Sequence, residues 1–204
     1  SDISAVWQVL FYGDTHCLAK KILNFDLTPE NVDAELFKQE KTLFDSAFCT
    51  ILKNRIFRGG ILAKGSGMMK SGENGKGLKS RWYPKTLHDR ILAIDLIKDK
   101  FIFEKKDAFV ELEKYSNKVD FCFFIDPPYT VAGGRLYKHF DIDHYELFKL
   151  TSKLKGHFMM TYDDTEEIRD LANSFGLEYR TIPMKTTHHV KKQEIIICND
   201  FSWW

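Results

Sequence analysis

Apolar side chains between Ile3 and Ile56 recur every three to four residues, the spacing that turns one face of a helix inward. Helices are therefore expected at Ile3–Phe11, at Thr15–Leu23, from Thr28-Pro29-Glu30 onward, and at Leu43–Ile56 with Phe44, Phe48, Ile51 and Leu52 on one face. Asp14 and Thr28 are N-cap residues by type, and Pro29 suits the first helical position because its missing N–H has no partner to lose there. Then the pattern breaks. Seven glycines fall between Arg58 and Arg81, where neither a helical nor a strand period is sustained. A structureless loop of this length inside a compact fold is usually functional. Gly65-Ser66-Gly67-Met68-Met69-Lys70-Ser71 has the look of a phosphate loop, but it lacks the Gly-Lys pair and a preceding strand, which excludes that reading.

From Pro84 onward strand and helix patterns alternate. Helices are expected at Pro84–Ile97, Ala108–Tyr115, Asp143–Lys153 and Thr165–Phe175. Strands are expected at Lys100–Glu104, Val119–Ile125, His157–Thr161, Leu177–Pro183 and Gln193–Cys198, the last two joined by a polar, basic turn. The run Val-Asp-Phe-Cys-Phe-Phe-Ile is almost continuously apolar, as in a central strand covered on both faces. Such alternation predicts a doubly wound α/β sheet that binds ligands at the carboxyl ends of its strands.

Composition narrows the class without naming a function. The chain has 204 residues, 44% hydrophobic and 29% charged, which suits one soluble domain or one domain carrying an insert. No apolar run approaches the ~20 residues of a membrane span and the start has no basic-then-apolar leader, so no membrane partner and a cytoplasmic location are expected. Cys17, Cys49, Cys122 and Cys198 form no CxxC pair and read as reduced, mostly buried thiols. His188-His189 have no further ligands at metal-binding spacing and fit better, with Lys185, Lys191 and Lys192, a solvated or phosphate-facing turn. The Trp203-Trp204 terminus has no functional account.

Charge is unevenly placed. Between Lys53 and Arg90 stand ten bases and two acids, so this segment carries +8 and the rest −7 within a net charge of +1. A basic segment on an acidic body suits a polyanion, since each phosphate neutralised releases counterions. It equally suits a loop kept soluble by lysines.

Asp126-Pro127-Pro128-Tyr129 follows the apolar strand immediately, where such sheets place their active sites. Methylation of an exocyclic amine explains every residue. The lone pair of that nitrogen is delocalised into the base, so it is a poor nucleophile. Two acceptors, the Asp126 carboxylate and the Pro127 carbonyl, would draw its N–H groups toward a pyramidal geometry and stabilise the charge that develops. Consecutive prolines fix φ and remove competing donors. Tyr129 offers a face for an extruded base. The plainer reading is a turn that ends a strand.

At these residues the sequence resembles the Dam-like DNA adenine methyltransferases, and the resemblance runs over essentially the whole chain. Phe101-Ile102-Phe103-Glu104-Lys105-Lys106-Asp107-Ala108 looks like the family's strand-plus-Asp motif, which implies that Asp107, Ala108 and Asp126 contact S-adenosyl-L-methionine; Asp107 is also a simple N-cap by type. Arg135-Leu136-Tyr137-Lys138-His139-Phe140 before Asp143-His144 resembles the loop that closes over a flipped base, with Tyr137 and Phe140 as lid aromatics or packing residues. Phe158-Met159-Met160-Thr161-Tyr162-Asp163-Asp164-Thr165 is similar to the next strand and its polar tip, and Lys191-Lys192-Gln193-Glu194-Ile195-Ile196-Ile197 to the closing strand. Asn54-Arg55 through Arg81-Trp82-Tyr83-Pro84 occupies the target-recognition region.

The resemblance implies a Rossmann-like, S-adenosylmethionine-dependent methyltransferase fold with a mainly helical and loop DNA-recognition insert. Residues 1–37 would follow the cofactor strands, 38–99 form the insert, and 100–204 hold the catalytic α/β part. Double-stranded DNA becomes the expected partner, met by Arg55, Arg58, Lys64, Lys70, Lys76, Lys79, Arg81, Tyr137, Lys191 and Lys192. A restriction endonuclease of the same system is a further partner that the enzyme does not require. The family's glycine-rich cofactor loop and the acid-ending strand after it do not precede the motif, so the fold is expected to be N-terminally incomplete, with an unfilled slot beside Val119–Ile125. Cytosine-N4 methylation uses the same amine logic, though Asp at the first motif position leans to adenine. An RNA or protein amide is disfavoured by the basic insert. An inactive DNA-binding fragment stays open.

Overall fold

The computed structural model describes residues 2–62, 65–72, 75–130, 141–185 and 191–202. They fall into two compact units, residues 1–105 and 106–204.

The first unit is helical. Its elements are α1 (Asp2–Tyr12), α2 (Thr15–Asn24), α3 (Pro29–Leu36), α4 (Leu43–Ile56) and α5 (Pro84–Asp95). Side-chain caps start three of them. Asp14 accepts from Cys17 N, Thr28 accepts from Asn31 N, and Thr42 with Asp45 forms a reciprocal capping box. Each such cap is worth about 1 kcal/mol because it satisfies an N–H that the helix cannot. Val9, Leu18, Ile22, Phe48, Leu52 and Ile56 meet in one core, to which Trp82, Leu87 and Ile91 add the return of the chain. Asp45 is 6% exposed yet charged: the Lys38 ammonium at 2.8 Å, aided by Thr42, holds its carboxyl down to about 2 against burial.

The glycine-rich stretch is less irregular than its sequence predicts. A Phe57–Met68 bridge closes its first part, with Met69 N donating to Ile56 O, and short 3-10 turns occupy Arg58–Gly60 and Gly77–Arg81. Gly72 lies so near the Gly77 carbonyl that a Cβ would stand 2.1 Å from its oxygen, so only glycine fits there.

Lys100–Glu104, expected as a strand, is none. Lys98–Lys100 makes a 3-10 turn and the chain then runs extended without a ladder partner. The first unit supplies the reason. Phe103 stacks on Phe11 of α1 and Phe101 meets it tilted, and the Tyr12 hydroxyl donates to Phe103 O and accepts from Phe103 N, both at 2.9 Å. Side chains thus take the hydrogen bonds that a sheet would otherwise claim.

The second unit is mixed α/β. Its elements are α6 (Ala108–Tyr115), β1 (Cys122–Ile125), α7 (His144–Thr151), β2 (His157–Asp163), α8 (Glu166–Ser174), β3 (Glu178–Lys185) and β4 (Lys191–Cys198). The four strands form one mixed sheet in the order β1-β2-β4-β3. β1 and β2 run parallel, while β4 is antiparallel to both neighbours. Phe158, Met160, Tyr162, Ile195 and Ile197 point to one face, where Phe148 of α7 and Ile168 of α8 cover them. Ile196, Cys198 and Phe201 make a smaller cluster on the other.

Two expectations about β1 need correction. It is shorter than Val119–Ile125, and it is an edge strand among the described residues rather than a central one covered on both faces. Phe124 is 65% exposed. The apolar run Val119–Ile125 therefore marks a strand with one open edge. Of the thiols, Cys49 and Cys198 are buried, whereas Cys17 and Cys122 are exposed, so "mostly buried" is also corrected; all four are free. Among the described residues no helix is long and apolar enough to cross a membrane.

Candidate functional site

The parallel register of β1 and β2 sets the site. Phe124 pairs with Met159 and Ile125 with Met160, so Asp126, one step beyond β1, comes level with Thr161 inside β2. The Thr161 hydroxyl donates to Asp126 Oδ1 at 2.7 Å. Asp126 itself is exposed, Pro127 is buried, and Pro128 and Tyr129 are half-buried. The Tyr129 ring stacks on Tyr162, with centroids 5.9 Å apart and planes 28° from parallel. Tyr162 is fully buried, and burial pushes its phenol well above the ordinary tyrosine range. Its hydroxyl meets His144 Nδ1 at 2.8 Å. Burial holds the His144 imidazole below its usual range, against the opposing charges of Glu167, Asp163 and Asp143. His144, Tyr162 and Tyr129 thus form a buttress of neutral rings behind the motif.

Beside them lies an unsatisfied group. Asp163, the last residue of β2, is 2% exposed, and neither carboxylate oxygen has a hydrogen-bond partner among the described residues. Its cross-strand neighbour is Glu194.

A cleft of about 570 Å³ opens along β1 and α6 and reaches the motif. Ala108, Phe109, Leu112, Phe123 and Ile125 line its length, and Asp126, Pro127 and Pro128 form its end. Its size and mainly apolar wall suit a small ligand with one flat apolar part. Ala108 and Asp126 therefore line one cleft. Asp107 caps α6 by accepting from Phe109 N at 2.9 Å, and its side chain is not part of the cleft wall. No basic or glycine-rich cradle for a carboxylate is found among the lining residues.

In the first unit, Arg55 at the end of α4 is half-buried, and its Nε is buried without a partner among the described residues. Burial, then the charges of Arg81 and Arg90, push its guanidinium below the ordinary range. Arg81 is held in place: Nη1 donates to Phe57 O at 3.4 Å, and a Cβ on Gly60 would stand 3.0 Å from Nη2. The Gly60 carbonyl accepts from Asn54 Nδ2 at 2.9 Å. No acid pairs with these three arginines among the described residues, an arrangement suited to an anion. Arg58, Lys70, Lys76 and Lys79 are exposed. Lys64, Tyr137 and Phe140, and the His188-His189 and Trp203-Trp204 pairs, lie outside the described residues, as do the side chains of Lys191 and Lys192.

Thr161, Tyr162, Asp163 and His144 carry no individual signal in the sequence, and Arg90 enters there only as charge. The missing signal is register: nothing in a lone Thr shows which residue lies across the ladder. Among the described residues no cluster of three or more His, Cys, Asp or Glu could hold a metal ion. No protein-family model matches the chain, and no curated protein matches it.

Proposed function

We propose that this protein methylates the exocyclic N6 of adenine in double-stranded DNA, with S-adenosyl-L-methionine as the donor and a Rossmann-like methyltransferase fold as its frame. The observation that carries this reading is Asp126, held by Thr161 at the carboxyl end of a parallel strand and followed by Pro127-Pro128-Tyr129. An acceptor fixed on one oxygen, two prolines and an aromatic ring form the set that an amine on a flat base requires.

In this mechanism the free Oδ2 of Asp126 and the Pro127 carbonyl each accept one N–H of the extruded base. Tyr129 stacks on the ring, and Tyr162 backs Tyr129. Ala108, Phe109 and Leu112 along the cleft would hold the adenosyl part of the donor. When bound, the donor would supply an electrophilic methyl group for the amine nitrogen, the electron pair of its carbon–sulfur bond leaving with sulfur. Nitrogen then loses one proton, which Oδ2 accepts and passes to water. The negative carboxylate stabilises the positive charge on nitrogen during transfer. Arg55, Arg58, Arg81 and the exposed lysines meet phosphates, which dominate affinity without reading sequence.

The test is chemical. Unmethylated duplex DNA incubated with protein and labelled S-adenosylmethionine, then hydrolysed, should yield N6-methyladenine by mass spectrometry. Asp126→Ala should abolish the product and leave DNA affinity within a few-fold. N4-methylcytosine alone, no methylated base, or more than about a tenth of normal turnover in Asp126→Ala would refute the assignment.

A further inference from the structure

We infer that Thr161 is a positioning residue that fixes the Asp126 carboxylate as a hydrogen-bond acceptor for the substrate amine, an inference that rests on the methyltransferase reading. Three observations converge on it. The 2.7 Å bond runs from the Thr161 hydroxyl to Asp126 Oδ1, so the hydroxyl proton is committed to that oxygen. Thr161 lies inside the sheet, opposite Ile196 of β4, so its backbone cannot drift. Asp126 lies beyond β1 on an exposed turn, without a ladder of its own.

Left alone, an exposed carboxylate rotates about χ2, a broad two-fold torsion, and presents either oxygen in many directions. One charge-assisted bond from a stiff, β-branched donor removes that freedom. Oδ1 is then occupied, and Oδ2 has no hydrogen-bond partner among the described residues. A carboxylate oxygen held in this way accepts an N–H and repels a carbonyl oxygen. The hydroxyl therefore acts through Asp126 on the choice between an amine and a carbonyl at the base edge. Thr161 touches no substrate in this scheme.

Valine matches threonine in shape and keeps the strand while deleting the donor. Thr161→Val should lower kcat about 10- to 100-fold and leave KM for DNA within about threefold, the range expected for losing one hydrogen bond to a charged group. Thr161→Ser should restore kcat to within about threefold of the parent. Independently of activity, the 13C carboxyl resonance of Asp126 should move in Thr161→Val and return in Thr161→Ser. A Thr161→Val protein that turns over normally while Asp126→Ala is dead would overturn the positioning role. So would an Asp126 resonance unmoved by Thr161→Val. A resonance that responds in a protein that methylates no DNA would instead defeat the methyltransferase reading and leave the hydrogen bond standing.

Discussion

The two polar regions of this protein treat their charges in opposite ways. At the tip of β1 and β2, Asp126 is answered by Thr161, and Tyr162 by His144, at 2.7 and 2.8 Å. Near the end of α4, the charges of Arg81 and Arg90 act on half-buried Arg55, and no acid among the described residues pairs with the three. A group that must hold a reacting atom gains from bonds already made, because nothing has to reorganise when charge develops. A group that must meet a polyanion gains from staying unpaired, because its counterion arrives with the partner. Asp163, buried and unpaired among the described residues, departs from the rule of the first region.

The sharpest break of this comparison is removal of the guanidiniums. Replacing Arg55, Arg81 and Arg90 together with Gln should weaken duplex DNA binding roughly a hundredfold at low salt and flatten the log–log salt slope by up to ~0.9 for each phosphate no longer neutralised. Replacing Lys70, Lys76 and Lys79 with Gln should weaken binding less, because exposed lysines are not held toward any one phosphate. Fluorescence anisotropy across a salt series measures both. An arginine variant with unchanged slope would show that the cluster merely caps the negative end of α4.

A gentler version leaves every charge in place. Gly60 has φ +71°, and a Cβ there would press on Arg81 Nη2 and on Asn54. Gly60→Ala should therefore cost about 1–2 kcal/mol of stability through the strained backbone. It should also weaken DNA binding several-fold by displacing Arg81. Denaturant melts and anisotropy on the same variant separate the two effects, and unaltered DNA affinity would show that Arg81's placement is irrelevant.

Much of this was legible in the chain. The helical period found α1, α2 and α4 within a residue or two, and the Thr28-Pro29 cap found the start of α3, because these signals are local to each helix. The Asp126 motif was legible because its chemistry is local. What failed was nonlocal. Phe101-Ile102-Phe103 has strand composition, but Phe11 and Tyr12 of α1 bind it first, and no period in residues 100–104 reports a partner ninety residues away. The apolar run before Asp126 predicted burial on both faces, whereas burial depends on which strands flank it. Thr161 and His144 became functional candidates only through register and packing, which link positions 126 to 161 and 144 to 162.

The smallest effect expected here lies in the ring buttress, and it follows from pH. Burial lowers the folded-state pKa of His144 below its ordinary 6.5, the reverse of a histidine gaining an acidic partner. The unfolded chain then binds more protons than the folded one as pH falls through 6.5, so stability is complete above that value and declines below it. Glu167, Asp163 and Asp143 all face the ring and favour its charged form, so the decline is shallow. It should still separate from the acid-side loss of Asp45. That carboxyl sits near 2 when folded against an ordinary 3.8, so its contribution is intact above pH 4 and disappears only as pH falls toward 2. Melting temperature measured from pH 8 down to about pH 2 should therefore fall in two steps. His144→Gln should remove the upper step, and Lys38→Met should shrink the lower one, to which Thr42 still contributes through Asp45. If the upper step survives His144→Gln, the imidazole is not the group that titrates, and the neutral-ring account of the buttress fails with it.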